Sequence, residues 1–286
     1  MANTIVFNKH DYVTRLRARI NKPVNWTDVL NVKYSDARTV VNGSISTEAT
    51  VQTGTRGTAY GYSDFTITAD TLTINTYRVI PIFIDEADRY QQSYADQMSI
   101  ASFQGKKISE YLESQMLAQH GSFKDFGVTD LAAGVADDTT AITVSATNID
   151  DIIRAIKRKL YKNDGVEFAI EKGVFIIWRP EDYELLEGYV QANGFSEADV
   201  ALKNGIPIGM RYMGVDHLLS TQHTANHLFA GIKGMGECGI LRSTYGKAKF
   251  IEDPNLQSGL GVVSRVDYGW NFPAYNAQFF MDINVT

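Results

Sequence analysis

Residues 85–121 read DEADRYQQSYADQMSIASFQGKKISEYLESQMLAQHG. Their spacing predicts one long helix. Tyr90, Tyr94, Met98, Ala101, Ile108, Leu112 and Met116 recur at steps of three, four or their sum, which sets them along one face. Asp85 stands where an N-cap belongs, and Glu86 and Asp88 put negative charge at the positive end of the helix dipole. His120 and then Gly121 form a stop. Such a helix is roughly 50 Å long, more than the core of an ordinary domain needs. Something extended must lie along it. Gly105 falls on the apolar stripe. A glycine there costs about 1 kcal/mol in helix propensity relative to alanine, and marks a close backbone approach or a bend.

The composition sets bounds on that reading. With 286 residues, 44% of them hydrophobic and 21% charged, the chain is long enough for one large domain or two smaller ones around a good core. The net charge of −6 argues against a protein whose main task is gripping phosphates, because that affinity comes from Lys and Arg. The lone cysteine, Cys238, can form no internal disulfide and reads as a small buried hydrophobe in a reducing compartment. The N-terminus has no continuous apolar region of the signal-peptide kind. The longest apolar runs, Val79–Ile84 and Val174–Trp178, are too short to span a bilayer. The expectation is a soluble protein with no membrane partner.

Before the helix lie two textures. Asp11–Arg19 reads as a short helix carrying Arg15, Arg17 and Arg19, followed after Pro23 by an irregular segment with Trp26 and Leu30 as local anchors. Either the arginines are solvated on a surface helix, or this arm lies on a neighbouring subunit or faces an anionic partner. From Arg38 to Ile84 threonine and β-branched residues dominate. Phe65–Thr68 and Leu72–Ile74 alternate like strands with one packed face, and Val40, Val41 and Ile45 mark a partner strand. Between them QTGTRGTAYGYSD, with Gly54, Gly57 and Gly61, reads as a mobile loop. A two-stranded excursion of this kind is marginal alone and needs a surface to lie against.

After Gly121 comes a loop with a short strand near Ala141–Val144. Asn148 or Asp150 then caps an amphipathic helix to about Tyr161, with Ile152, Ile153, Ile156 and Leu160 on one face and Arg154, Lys157, Arg158 and Lys159 largely opposite. Val174–Trp178 is apolar throughout and reads as a central strand, and Pro180 opens another helix. Strand patterns follow at Pro207–Met213, His227–Ile232, Lys247–Ile251, Gly261–Tyr268 and Tyr275–Val285.

Motifs that carry chemistry are weak. Gly234–Gly239 satisfies G-x-G-x-x-G, but no amphipathic helix follows and no βαβ unit surrounds it, so a Gly-rich turn is the better reading than a dinucleotide cradle. His217, His223 and His227, with Cys238 nearby, read as exposed loop histidines rather than zinc ligands. Asp137-Asp138 and Asp150-Asp151 read as loop and helix-start acids. The basic cluster from Arg154 to Lys159 reads as a solvated helix face rather than a nucleic-acid contact. No catalytic constellation stands out, and neither a cofactor nor a metal is expected.

An arm, a long hairpin with a glycine tip, an overlong helix and a compact α/β region suit a shell-building protein, since neighbours would cover the apolar faces one chain leaves open. In this order the chain resembles the major capsid proteins of tailed double-stranded-DNA phages, the Hong Kong 97 capsid fold, an α+β architecture. NIDDIIRAIKRKLYKN (148–163) with KGVFIIWRPEDYELL (172–186) resembles the family's helix, strand and Pro-x-x-Tyr-x-x-Leu helix start. GIPIGMRYMGVDHLLS (205–220) and HLFAGIKGMGECGI (227–240) resemble its Gly-x-Pro strand, apolar hairpin and following segment. FIEDPNLQSGLGVVSRVDYGWNFPAYNAQFF (250–280) resembles its Asp-Pro turn and closing strands.

The resemblance implies an N-terminal arm at 1–37, an extended loop at 38–84, the spine helix of a peripheral domain at 85–121, an axial domain at 122–258 and returning peripheral-domain strands at 259–286. It implies a structural protein, not an enzyme, whose copies join as hexamers and pentamers into an icosahedral shell around DNA, contacted weakly and without sequence specificity. The chain would be made in the host cytoplasm and reside in the virion, with a separate scaffolding protein, a portal and a decoration protein as partners. Subunit contacts would come from the loop tip, at Gly54, Arg56, Gly57, Tyr60, Gly61 and Tyr62, and from the arm, at Arg15, Arg17, Arg19 and Trp26. The alternatives are an encapsulin-like nanocompartment shell and a nucleotide-binding enzyme using the Gly234–Gly239 loop.

Overall fold

The computed structural model describes residues 9–20, 25–45, 53–57, 59, 67–85, 94–132, 137–192, 210–252 and 259–286. Helices α1 (Lys9–Ile20) and α2 (Asn25–Val29) lead into strand β1 (Asn31–Ser35). Strands β2 (Thr39–Ile45) and β3 (Ile67–Thr73) pair with each other, and β4 (Thr76–Asp85) follows. The long helix α3 (Tyr94–Leu117) ends in a turn of 3-10 helix, Ala118–Ser122. Next come β5 (Lys124–Phe126), α4 (Val128–Ala132), α5 (Ile149–Leu160), a π turn (Tyr161–Gly165), α6 (Val166–Lys172), β6 (Val174–Trp178) and α7 (Pro180–Ala192). The chain closes with β7 (Met210–Tyr212), β8 (Val215–Leu219), β9 (His227–Ile232), β10 (Glu237–Leu241), β11 (Lys247–Ile251), β12 (Gly259–Asn271), α8 (Ala274–Ala277) and β13 (Phe280–Asn284).

The apolar stripe of α3 is buried at Ala101, Gly105, Ile108, Leu112 and Met116. Asp85 is the last residue of β4, where it pairs with Gly259, and the predicted first turn of the helix, with Glu86, Asp88 and Tyr90, lies outside the described residues. Gly105 serves close approach: a Cβ there would sit 2.9 Å from the Leu16 carbonyl oxygen and 2.9 Å from the Arg19 Cβ. Helix α1 crosses at that point. Its Tyr12, Leu16 and Ile20, four residues apart, are fully buried.

At the same crossing α3 carries a buried amide. Gln104 is wholly inaccessible. Its Oε1 accepts from the Tyr12 hydroxyl at 2.7 Å and from the Ser264 hydroxyl at 2.7 Å. Its Nε2 donates to the carbonyl oxygens of Ile80 at 3.0 Å and Val262 at 3.3 Å. Two acceptor and two donor positions are all a glutamine amide offers, so the group is fully satisfied. It ties α3 to α1, β4 and β12 at once.

Those two strands belong to a five-stranded sheet. β12 runs through it with β4 antiparallel along one side, from Gly259 opposite Asp85 to Tyr268 opposite Thr76. β10 and β11 flank the other side of β12, and β1 lies parallel to β10. Pro81 interrupts the apolar run of β4 and is tolerated because β4 is an edge strand among the described residues. The stretch 38–84 is therefore not all hairpin: from Thr76 on it is a sheet strand.

The second sheet has six strands in the order β5-β13-β9-β6-β8-β7. β6 is central and buried at every position, as its unbroken apolar run predicts. The boundary read at 258/259 does not follow the sheets: β10 and β11 join β12, whereas β13 joins β9 and β5. The final segment is not one strand from Tyr275, because α8 intervenes. α5 packs its isoleucines inward, but Lys159 is 1% exposed and not on a solvated face. Its ammonium group lies 3.2 Å from buried Asp130. Asp138, read as a loop acid, accepts from the Thr129 and Thr140 backbone amides and the Thr129 hydroxyl, and those bonds hold its carboxyl well below the usual range.

The histidines also differ from the exposed-loop reading. His217 is fully buried in β8. Its Nδ1 accepts from the Trp178 indole at 2.9 Å, leaving Nε2–H to donate to the Tyr212 carbonyl at 3.2 Å. Burial pushes its pKa down to about 4, and that of His223 likewise.

Replacing Gln104 by Leu removes the acceptor shared by Tyr12 and Ser264, and urea unfolding is expected to show a loss of about 2–4 kcal/mol. His217 sets a pH dependence. Folded, it binds its proton near 4; unfolded, near 6.5. Between those values the unfolded chain holds more protons, so stability is full above 6.5 and falls as pH drops toward 4, by up to about 3 kcal/mol. Urea midpoints across that range test it, with His217→Gln reducing the slope and leaving the part that His223 contributes.

Candidate functional site

The hairpin rises from the five-stranded sheet, and its base is built by glycines. Gly239 of β10 and Gly269 of β12 lie directly opposite each other. A Cβ on Gly239 would come within 2.9 Å of Leu72 Cδ2, and one on Gly269 would strike the Thr73 carbonyl oxygen. The paired glycines open a trough into which Leu72 and Ile74 descend, both buried. Ile74 N–H donates to the Arg38 carbonyl at 2.7 Å. Polar clamps flank the trough. The Lys33 ammonium donates to Asn42 Oδ1 at 2.9 Å and to Glu237 Oε1 at 2.5 Å, and Asn42 Nδ2 donates to Glu237 Oε2 at 2.6 Å. Asn271 Nδ2 donates to Asp70 Oδ2 at 2.9 Å.

Beyond this base the ladder runs in register from Thr39 opposite Thr73 to Ile45 opposite Ile67, a reach of roughly 20 Å. Val41 is 65% exposed on it. Of the tip residues singled out in the sequence, Gly54, Arg56 and Gly57 are exposed, with Gly57 in a turn at φ +89°. Tyr60, Gly61 and Tyr62 lie outside the described residues. A second apolar surface was not foreseen. The outward face of β4 presents Tyr77, Val79 and Phe83, each about half exposed, while Ile80, Ile82 and Ile84 turn inward.

The described part of the arm does not lie free. Arg15 and Arg17 point outward, with Arg15 Nε 3.1 Å from the Ser102 hydroxyl, but the stem of Arg19 covers Gly105. Trp26 is wholly buried in the chain's own core and offers no contact surface. Asn25 Nδ2 bridges Glu113 of α3 at 2.8 Å and the Leu219 carbonyl of β8 at 2.9 Å. Burial raises the Glu113 carboxyl above its ordinary value.

The Gly234–Gly239 loop is filled by the chain itself. Gly234 N–H donates to the Val29 carbonyl at 2.8 Å, and Asn31 N–H to that of Gly236 at 2.9 Å. A Cβ on Gly236 would meet Phe272 at 2.6 Å and Leu30 at 2.8 Å. Strand β10, not a helix, follows. These glycines serve packing, and the helix N-terminus that would hold a pyrophosphate is not there. Cys238 is buried, and burial raises its thiol pKa. The basic cluster is similarly engaged. Arg154 pairs with Asp150, Lys157 donates to the Met213 carbonyl at 2.6 Å, and Arg158 donates to the Asp130 carbonyl. No described helix is long and apolar enough to cross a membrane.

No protein-family model matches the sequence, and no curated protein matches it significantly. Solved structures do match. A chain from the capsid of an empty GTA particle superposes with a TM-score of 0.65 at 12% identity, covering 93% of this chain and 92% of that one. A chain of Mycobacterium phage Che8 gives 0.61 at 14% identity, covering 92% and 96%. A virus-like particle from Pyrococcus furiosus gives 0.60 at 10% identity, covering 98% and 100%. The chain has the fold of phage capsid proteins, the Hong Kong 97 type, over nearly its whole length.

Proposed function

We propose that this chain is the major capsid subunit of a tailed phage, joining as hexamers and pentamers into an icosahedral shell around double-stranded DNA. The whole-chain agreement in fold with capsid chains carries the reading. The apolar surface that one chain leaves open supports it: Val41 on the hairpin and Tyr77, Val79 and Phe83 on β4. In this reading the six-stranded sheet is the axial domain. The five-stranded sheet with α3 is the peripheral domain, and the hairpin is the extended loop that reaches over an adjacent subunit. The tip, from Gly54 and Arg56 to Tyr62, makes the contact.

The negative net charge and the engaged cations of α5 fit a wall that contains DNA without gripping it. A scaffolding protein, a portal and a decoration protein are the further partners this reading implies, with synthesis in the host cytoplasm and residence in the virion. The role is structural rather than enzymatic.

Negative-stain microscopy of the expressed protein, alone and with a scaffold, tests the proposal. Closed shells of uniform size are expected; a small species persisting under all conditions overturns it. Deleting residues 54–61 is expected to leave a folded subunit that assembles poorly. An unfolded deletion variant would show instead that the tip belongs to the subunit's own core. A nanocompartment would form shells too, and is told apart by an enzyme cargo inside them in place of DNA.

A further inference from the structure

We propose that His120, His227 and Asp282 bind a borderline divalent transition-metal cation such as zinc, which fastens the end of α3 to the six-stranded sheet. The inference goes beyond the capsid reading and does not depend on it.

Three separate parts of the chain deliver the ligands. His120 sits in the 3-10 turn that ends α3. Phe123 pins that turn: its ring lies 4.9 Å from Phe229, 5.3 Å from Phe280 and 4.8 Å from Phe272, and its N–H donates to the His120 carbonyl at 3.0 Å. His227 opens β9, and Asp282 is central in β13. The register sets Phe229 opposite Asp282 and His227 opposite Asn284, so His227 and Asp282 project from one face as diagonal neighbours. The aromatic cluster holds both the turn and the sheet, so the ligands are positioned before any ion arrives.

The geometry is close to what a metal needs. His120 Nδ1 lies 3.0 Å from Asp282 Oδ2, and His227 Nδ1 lies 2.9 Å from each carboxylate oxygen. The two rings stack with centroids 3.9 Å apart. One ligand atom from each residue falls within 4.8 Å of the others. Zinc–nitrogen and zinc–oxygen bonds of about 2.0–2.2 Å at a tetrahedral centre put ligand atoms roughly 3.3 Å apart. The two His–Asp separations would open by about 0.4 Å to admit the ion. Each neutral ring would offer its Nδ1 lone pair and carry its proton on Nε2.

Charge supplies an independent argument. Among the described residues, every other buried aspartate has a lysine or arginine beside it. Asp130 has Lys159, Asp150 has Arg154, Asp182 has Arg179 and Asp267 has Arg265. Among the described residues Asp282, 3% exposed, has only the two imidazoles as ion-pair partners. Two stacked imidazolium rings would repel each other, whereas a single divalent ion neutralises the carboxylate and joins both rings. The imidazoles are 25% and 26% exposed, which leaves an entry path and room for a water as fourth ligand. Two nitrogens and one carboxylate select zinc-like ions over magnesium or calcium, which prefer oxygen ligands throughout.

Isothermal titration of the metal-stripped full-length protein with zinc chloride, and separately with magnesium chloride, tests the proposal. One equivalent of zinc is expected to bind and to raise the thermal midpoint, with magnesium doing neither. His120→Gln and His227→Gln should each weaken zinc binding by at least about tenfold. His10→Gln, at an exposed position at the start of α1, should leave it unchanged. Circular dichroism checks that the variants are folded, and His120→Gln, on a partly exposed turn, keeps the test valid should the strand variant unfold. Absence of saturable zinc binding, equal binding by the folded ligand variants, or an equal response to magnesium overturns the proposal.

Discussion

The buried amide of Gln104 is the constraint on which the rest of the architecture depends. A polar group with no access to water has to find every partner inside the protein, or the structure carries the full desolvation cost. Gln104 finds four, on three elements that are far apart in sequence. Hydrophobic contact alone would let α3 slide or rotate against the sheet, because apolar surfaces are tolerant of small shifts. Directional hydrogen bonds to Ile80, Val262 and Ser264 fix its height on β4 and β12, and the bond from Tyr12 fixes where α1 crosses. Gly105, one residue on, lets that crossing come close enough for the Tyr12 hydroxyl to reach.

The same logic of close approach positions the hairpin. Two glycines opposite each other on β10 and β12 leave a gap in the side-chain layer, and the hairpin base fills it with Leu72 and Ile74. Burying two large aliphatic side chains is worth about 3–6 kcal/mol, enough to hold the base of a two-stranded ladder that is marginal alone. The Lys33–Asn42–Glu237 and Asp70–Asn271 contacts then set its direction. Rigidity at the base and exposure beyond it are what a projecting contact element requires.

What could be read in the sequence was periodic. The stripe of α3, the unbroken apolar run of β6, the start of α5 at Asn148 or Asp150 and Pro180 at the head of α7 each follow from local spacing or residue type. The misreadings have physical causes. β4 is apolar on both faces, so its alternation is invisible and its place in the sheet is set by β12, far along the chain. Lys159 looks solvated because its buried partner, Asp130, lies on another element. Gln104 sits beside the stripe, and no local pattern marks it as buried. His120, His227 and Asp282 are separated by many residues and meet only through the register of β9 and β13 and the turn after α3. Composition marks the glycines of the proposed tip, whereas no local pattern marks the outward face of β4.

That outward face has a further property. An exposed apolar edge strand is ordinarily a template for uncontrolled pairing with other chains. Here Pro81 lies in the middle of β4, between Val79 and Phe83. A proline is accommodated in a paired strand where its missing N–H faces away from the ladder, so the gap falls on the free edge. A further strand adding there would lose a hydrogen bond at the centre of the edge. Side chains of a neighbour can still dock on Tyr77, Val79 and Phe83. The surface thus favours packing of side chains over extension of the sheet.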